Sequence, residues 1–179
     1  MNIFELKILD FIQQNLRCDF LDTVLVPITH FAEKGIGWII VAVILLCFKK
    51  TRKIGITIGL ALILGLIFGN GLLKNVVARI RPYDLNPTVA LLVEPLSDFS
   101  FPSGHTLASF EAAVVLLIKN KKMGIPAIIL ATLIALSRLY LYVHYPTDVL
   151  AGMLLGTLFA FVSVWAINKL TDKYNIKIW

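Results

Sequence analysis

Charged residues are scarce in this chain, and their scarcity excludes an ordinary soluble domain. Asp, Glu, Lys and Arg make up 16% of the 179 residues, whereas 58% are hydrophobic. Soluble globular domains carry about 25% charged residues. The composition therefore predicts an all-α, polytopic membrane protein in which helices pack on helices. The length favours a single domain over residues 1–179.

Cysteine is also scarce, since Cys18 and Cys47 are the only two in the sequence. Both fall near predicted helix ends on the cytoplasmic side, where thiols stay reduced, so we expect no disulfide. The N-terminus lacks the basic-then-apolar layout of a cleaved signal peptide. The net charge of +6 comes from basic residues in short loops, a pattern that favours lipid headgroups over nucleic acid as partners.

Apolar segments and basic loops together predict a bundle of six transmembrane helices. Residues 3–16 mix apolar and polar positions at helical spacing, which predicts an amphipathic helix on the cytoplasmic interface. The positive-inside rule places the basic loops 49–53 and 119–122 in the cytoplasm. Both termini then lie inside, and the polar segments meet on the outer side. The predicted spans are 19–32, 36–48, 54–73 with a continuation to about Ile80, 103–118, 123–143 and 146–168.

The first two predicted spans, 19–32 and 36–48, are short. Each is shorter than the roughly 20 residues that cross a bilayer. Whether residues 19–48 make two full spans is therefore open at this point.

The stretch 137–148 holds three ionisable residues at the edge of apolar segments, where charge is costly and indicates function by default. His144 and Asp148 are four residues apart, and Pro146 suits the first turn of a helix, so the carboxylate can reach back to the imidazole. A carboxylate that holds one ring nitrogen leaves the other free to attack. Arg138 offers a fork of donors for an anion. The alternative is a salt-bridged helix cap at the interface.

Lys74 and Arg81 form a second polar cluster. They are seven residues apart, nearly two helical turns or about 10 Å along the axis, so both can lie on one face. Two cations at one membrane end can bind a phosphate. The alternative is that they anchor the helix among lipid headgroups, which we favour for Arg79 because it lies off the shared face.

Ser103, Gly104 and His105 form the third cluster, directly after Pro102. A Ser-Gly pair at a helix start leaves backbone N–H groups unpaired, which makes an anion site that the helix dipole strengthens. Gly104 lets an anion approach the backbone, and His105 can act as a general acid. The alternative is an ordinary helix cap followed by an interfacial histidine.

Together the clusters supply three cations, hydrogen-bond donors, two histidines and one carboxylate. This set fits phosphoryl transfer through a phosphohistidine, with the cations and N–H donors stabilising the equatorial oxygens. The acids are too few for a magnesium or two-metal site. Two histidines and Asp148 can in principle ligate zinc, but the adjacent cations argue against a metal. We therefore expect neither a metal nor another cofactor.

The clusters resemble the three-part signature of the type 2 phosphatidic acid phosphatase (PAP2) superfamily. The resemblance covers about residues 54–169, with the signature itself over 74–148. The matching residues, in order and with the family's internal spacing, are Lys74-x6-Arg81-Pro82, Pro102-Ser103-Gly104-His105 and Ser137-Arg138-x5-His144-x3-Asp148.

The resemblance implies a role for each matching residue. His144 would be the nucleophile and Asp148 its orienting partner. His105 would protonate the leaving group and then activate water. The phosphate would be held by Lys74, Arg81, Ser103, Gly104 and Arg138.

Glu111 is a possible supporting residue, because it lies in a membrane helix on nearly the same face as Gly104. It can pair with Lys74 or Arg81 below the phosphate, or make an interhelical hydrogen bond. The long loop 82–102 carries three acids that we expect to be solvated: Asp84, Glu94 and Asp98.

The resemblance implies a metal-independent membrane lipid phosphatase with its site at the outer face of a cytoplasmic membrane. The favoured substrate is undecaprenyl diphosphate, with phosphatidylglycerophosphate and phosphatidate as alternatives. Peroxidase chemistry with bound vanadate is a second enzyme hypothesis. A lipid-phosphate binding or carrier protein is the non-enzyme alternative, and it would have no need of the His144–Asp148 pair. The oligomeric state stays open.

Overall fold

The structure, a computed structural model, describes residues 3–174, and all regular secondary structure in that range is helical. The predicted all-α class is therefore confirmed. The helices are α1 (Ile3–Asn15), α2 (Asp19–Phe31), α3 (Ile36–Cys47), α4 (Arg52–Leu64), a π-helix (Gly65–Leu73), α5 (Lys74–Val77), α6 (Pro82–Leu85), α7 (Gly104–Lys119), α8 (Lys121–Tyr140) and α9 (Pro146–Lys173).

Long apolar helices make this a multi-pass membrane protein. Three segments of the described chain are long and apolar enough to cross a membrane: Arg52–Leu85, Lys121–Tyr140 and Pro146–Lys173. Helices α2 and α3 qualify only as a pair, bent by 41° at the short turn between them. The predicted count of six spans is not confirmed, because the two segments that the sequence separates make one bent candidate span.

The antiparallel order of the long helices separates basic loops from polar clusters. Lys53 at the start of α4 donates to Thr171 Oγ1 near the end of α9 at 2.9 Å, and Lys119 at the end of α7 donates to Asn168 Oδ1 at 3.0 Å. The opposite ends of these helices therefore meet at the other end of the bundle. That end holds all three polar clusters.

Helix α7 lies at the centre of the bundle and packs on α4, α8 and α9. Glycine at two positions of α9 makes the approach to α7 very close. A Cβ on Gly156 would lie 2.6 Å from the Leu107 carbonyl oxygen, and one on Gly152 would lie 2.9 Å from that of Ser103. The same approach lets the Ser103 amide donate to the Asp148 carbonyl at 3.1 Å. The packing thus joins the second and third signature segments.

Helix α1 lies at the same end as the polar clusters, so its predicted place on the opposite, cytoplasmic interface is wrong. Glu5 accepts a hydrogen bond from the Thr147 amide at 2.9 Å, and Asp10 accepts one from the Tyr142 hydroxyl at 2.6 Å. Two acids of the helix thus bond to the α8–α9 loop and to the first turn of α9. Because α9 ends among the basic loops, α1 and the end of α9 lie at opposite ends of the bundle, whereas the prediction puts both termini on one side of the membrane.

Candidate functional site

His144 is buried in the loop between α8 and α9, within reach of Asp148 but not in direct contact with it. Tyr145 is extended and Pro146 begins α9, which places Asp148 in the first turn. The His144 Nδ1 to Asp148 Oδ2 distance is 3.6 Å, beyond a good hydrogen bond. Ser100 lies between them: its hydroxyl donates to Asp148 Oδ2 at 2.5 Å, and its Oγ is 3.4 Å from His144 Nδ1.

This network fixes the tautomer of His144. Because the Ser100 proton is given to Asp148, Ser100 Oγ is free to accept from the ring, and Nδ1 carries the hydrogen. The other nitrogen, Nε2, keeps its lone pair and lies 3.3 Å from a guanidinium nitrogen of Arg81. Burial lowers the pKa of His144, and the charges of Arg81 and Arg138 add to this against the opposing effect of Asp148. The imidazole is therefore neutral at neutral pH.

Lys74 and Arg81 are both buried and both pair with the same carboxylate, that of Asp98. Lys74 contacts Asp98 Oδ2, while Arg81 donates to Oδ1 at 2.6 Å and to the Val143 carbonyl at 2.8 Å. Burial raises the pKa of Asp98, but the hydrogen bonds and charges of Lys74 and Arg81 more than offset this and hold it below its usual value. Asp98 is exposed, as the sequence predicts for an acid of this loop, but it also neutralises two adjacent cations, which the sequence does not predict.

Arg138 is 2% exposed and donates to Thr29 Oγ1 at 2.5 Å, which ties the bent α2 to the site. Its Nε has no hydrogen-bond partner within residues 3–174. A buried guanidinium nitrogen without a partner is costly. This N–H is therefore an unused donor, although Arg138 is not among the residues that line the cavity described below.

The start of α7 carries the Ser-Gly-His segment. The Ser103 hydroxyl is buried and bonds Thr106 Oγ1 at 2.9 Å, so it caps its own helix as the simpler interpretation expects. Gly104 and His105 line the cavity described next. Asn70, on the π-helix, faces Gly104: a Cβ there would lie 2.9 Å from Asn70 Oδ1, which has no partner within the described chain.

A cavity of about 710 Å³ begins at this cluster and extends between α3, α4 and α7. Its polar end holds Lys74, Arg81, His105 and His144 together. The deeper wall is largely apolar and includes Ile39, Val43, Leu46, Leu62, Ile63 and Leu66. The cavity therefore joins a cationic, histidine-bearing pocket to a space suited to hydrocarbon.

The sequence profile of the PAP2 superfamily matches residues 54–172, more than half of the chain. This chain belongs to the PAP2 superfamily. The matched segment contains all three polar clusters. Helices α1, α2 and α3 lie outside it.

One relative of this PAP2 protein has a name that states its lipid substrate. An undecaprenyl-diphosphatase of Sulfolobus acidocaldarius is 46% identical over 129 residues, which are 71% of this chain and 62% of that protein. The match thus spans less than two thirds of that relative's length.

Two crystal structures are also similar to this chain, one of which is described as a PAP2 type protein. A phosphatidylglycerolphosphate phosphatase from Bacillus subtilis has a TM-score of 0.76 and 29% identity, covering 94% of this chain and 88% of that one. Aquifex aeolicus LpxE has a TM-score of 0.79 and 27% identity, covering 90% and 94%.

Arg79 of this PAP2 protein is not a lipid anchor, and that interpretation is wrong. It donates to Asp148 Oδ1 at 2.6 Å and stacks 3.8 Å from the centre of the Tyr145 ring. The expected helix through Ile80 ends at Val77, because Ala78 adopts a left-handed conformation with φ 45°. This break turns Arg79 inward, so a face assignment based on a continuous helix could not find it.

Of the two alternatives that the sequence left open for Glu111, the interhelical hydrogen bond agrees with the structure, because the carboxyl bonds the backbone of Gly65 on the π-helix. Glu111 is not paired with Lys74 or Arg81, both of which bind Asp98. Its Oε1 makes no hydrogen bond within the described residues, although it lines the cavity. The carboxyl packs against Gly65, where a Cβ would lie 2.1 Å from Oε1. Glycine at that position is what makes room for Glu111.

Proposed function

We propose that this PAP2 protein is a membrane lipid phosphatase that hydrolyses a lipid phosphate or diphosphate through a phosphohistidine. The observation that carries the proposal is His144: it is buried, its Nδ1–H faces Ser100 and Asp148, and its Nε2 faces the cationic pocket. The apolar cavity next to that pocket supports a lipid as the substrate. The name of the Sulfolobus relative supports undecaprenyl diphosphate as the favoured one.

The proposed first step is in-line attack of His144 Nε2 on phosphorus. The N–P bond forms while the bond from phosphorus to the leaving oxygen breaks, and His105 donates a proton to that oxygen. Asp148 stabilises the positive charge that develops on the ring through Ser100. Lys74, Arg81 and Arg138 stabilise the equatorial oxygens, helped by the N–H group of Gly104. The Ser103 amide is already used, because it donates to the Asp148 carbonyl.

The proposed second step returns the enzyme to its starting state. His105, now without its proton, takes a proton from a water molecule that attacks phosphorus. The N–P bond breaks, inorganic phosphate leaves, and His144 recovers its neutral form. No step in this sequence requires a metal, since the cations of the protein carry the charge.

The experiment that tests the proposal is phosphate release by the purified protein from a panel of lipid phosphates and diphosphates in the presence of EDTA. We expect turnover of undecaprenyl diphosphate to exceed that of phosphatidylglycerophosphate and phosphatidate. An activity that EDTA abolishes and zinc restores would replace the mechanism with a metal-assisted one. Binding of these lipids without any phosphate release would favour a carrier.

The proposed orientation places the cationic loops in the cytoplasm and the site on the extracytoplasmic side of the cytoplasmic membrane. Helix α1 then lies outside with the site. Exposed Cys18, directly after α1, should react with a membrane-impermeant maleimide on intact cells of a Cys47→Ser variant. Labelling of Cys18 only after permeabilisation would reverse the orientation.

Asp98→Asn is expected to strengthen inhibition by inorganic phosphate by up to about fivefold, measured as a lower inhibition constant. Asp98 occupies the donors of Lys74 and Arg81 that the substrate phosphate needs, so its charge competes with the ligand. The effect is limited because Asp98 is half-exposed, where one charge pair contributes up to about 1 kcal/mol, or roughly fivefold in an inhibition constant. Asp84→Asn, on helix α6 before the loop that carries Asp98, is the matched control. Weaker phosphate inhibition would show instead that Asp98 only holds Arg81 in place.

A further inference from the structure

Glu5 of α1 has a buried carboxylate whose contacts all lie at the candidate site. It is 3% exposed although most of α1 around it is accessible. Oε1 accepts from the Thr147 amide at 2.9 Å and from the Thr147 hydroxyl at 2.6 Å. Oε2 accepts from Arg79 at 2.6 Å. Three donors thus satisfy this one side chain, and none of them belongs to α1.

The contact with Thr147 caps α9 from a distant part of the chain. Thr147 is the second residue of α9, and amides at that position have no partner within their own helix. Carboxylates are favoured there by the helix dipole. Burial raises the pKa of Glu5, but the hydrogen bonds from Thr147 and Arg79 more than offset this and hold it below its usual value. The carboxylate is therefore charged at neutral pH.

The contact with Arg79 links Glu5 to the carboxylate that orients the nucleophile. One guanidinium nitrogen of Arg79 donates to Glu5, while the other donates to Asp148 Oδ1 and to the Thr147 hydroxyl. Glu5 thus holds two residues that contact or adjoin Asp148. One is Thr147, which precedes Asp148 in the chain, and the other is Arg79, its cationic partner. Without Glu5, Arg79 would have Asp148 as its only carboxylate partner among residues 3–174.

We propose that Glu5 is a positioning residue for the phosphatase reaction, so that the N-terminal helix completes the active site although it lies outside the PAP2 segment. Glu5 touches no substrate atom in this scheme. It acts through Arg79 and Thr147 on the orientation of Asp148, and Asp148 acts through Ser100 on His144. The inference rests on the proposed function and adds a helix that the signature does not contain.

Glu5→Gln is the test, since it keeps the shape of the side chain and one acceptor but removes the charge that holds Arg79. We expect kcat to fall about 10- to 100-fold, the scale that a misplacement of about 1 Å produces. KM should stay within about twofold because no group that binds phosphate changes. Asp10→Asn is the matched control: it lies on the same helix and bonds the Tyr142 hydroxyl at the same end, but it does not touch Arg79.

Two further comparisons distinguish a positioning role of Glu5 from a role only in docking α1: a double variant with Arg79, and a substitution of Glu5 that keeps its charge. In an Arg79→Lys background, Glu5→Gln should have little further effect on kcat, because the link is already broken. Glu5→Asp, which keeps the charge, should recover part of the lost kcat. If Glu5→Gln does not fold, the Glu5→Asp and Arg79→Lys proteins and their double variant carry the same comparison.

Two results would overturn the inference. One is a Glu5→Gln protein whose kcat matches that of Asp10→Asn. The other is additive losses in the Arg79→Lys background. Failure of the proposed function looks different, because the unmodified protein would then release no phosphate from any lipid in the panel.

Discussion

Replacing His144 with alanine is expected to lower phosphate release by about a thousandfold or more, with the fold intact. The reason is that the variant loses the atom that forms the covalent intermediate, so the remaining pocket can only bind and polarise the phosphate. Phosphate release at saturating substrate is the measurement. The unmodified protein, quenched at alkaline pH during turnover, should also carry a phosphoryl group that acid removes, and His144→Ala should carry none.

His30→Ala is the matched control for this substitution. His30 is exposed on α2, contacts Glu33 at 3.1 Å and does not line the cavity, so its loss should leave turnover within about twofold. Thermal unfolding in detergent checks that both variants are folded. Turnover by His144→Ala near that of His30→Ala would defeat the phosphohistidine mechanism. The remaining explanations would be a lipid-phosphate carrier or direct attack of water on phosphorus.

The convergence of the three signature segments could be predicted because it depends on features local to the sequence. Basic loops fix which helix ends share a side, and Pro146 fixes where α9 begins relative to His144. These rules were enough to place Lys74, Arg81, His105 and His144 at one end, where they line a common cavity. Spacing alone also placed Asp148 on the side of α9 that faces the imidazole.

Contacts that depend on irregular backbone could not be predicted in the same way. Ser100 bridges His144 and Asp148 from a loop with no periodic pattern, and Asp98 reaches back from that loop to two cations. Arg79 turns inward only because Ala78 leaves the right-handed region, which is uncommon for a residue with a Cβ. No spacing rule connects any of these residues to the signature.

The place of α1 shows the limit of amphipathicity as a signal. A polar face predicts that a helix lies at a boundary, but it does not say at which end of a bundle. Here the deciding contacts are Glu5 with Thr147 and Asp10 with Tyr142, each across more than 130 residues of sequence. Such pairs form only once α8 and α9 have packed, so tertiary structure overrides the charge-based topology.

Asp148→Asn is expected to lower kcat by about 10²- to 10⁴-fold while KM changes little. All of the contacts of the carboxylate are with donors: Ser100 and the Tyr145 amide at Oδ2, and Arg79 at Oδ1. An amide must turn its NH2 group toward one of these donors, which breaks the network and leaves a buried polar clash. It also removes the negative charge that stabilises the ring once Nε2 is phosphorylated. Losses of this size follow when the orienting carboxylate of a catalytic imidazole is replaced.

Asp22→Asn is the control for this change, since Asp22, like Asp148, accepts a hydrogen bond from a side-chain hydroxyl, here that of Tyr140, but lies outside the network. Its kcat should stay within about threefold of the unmodified value.

Ser100→Ala tests whether Asp148 acts on the His144 ring through the Ser100 hydroxyl. Because the direct distance between His144 Nδ1 and Asp148 Oδ2 is 3.6 Å, the two substitutions should be strongly non-additive in kcat if the hydroxyl is the link. Additive effects would mean that Asp148 contacts His144 directly during the reaction, after a movement that closes this gap.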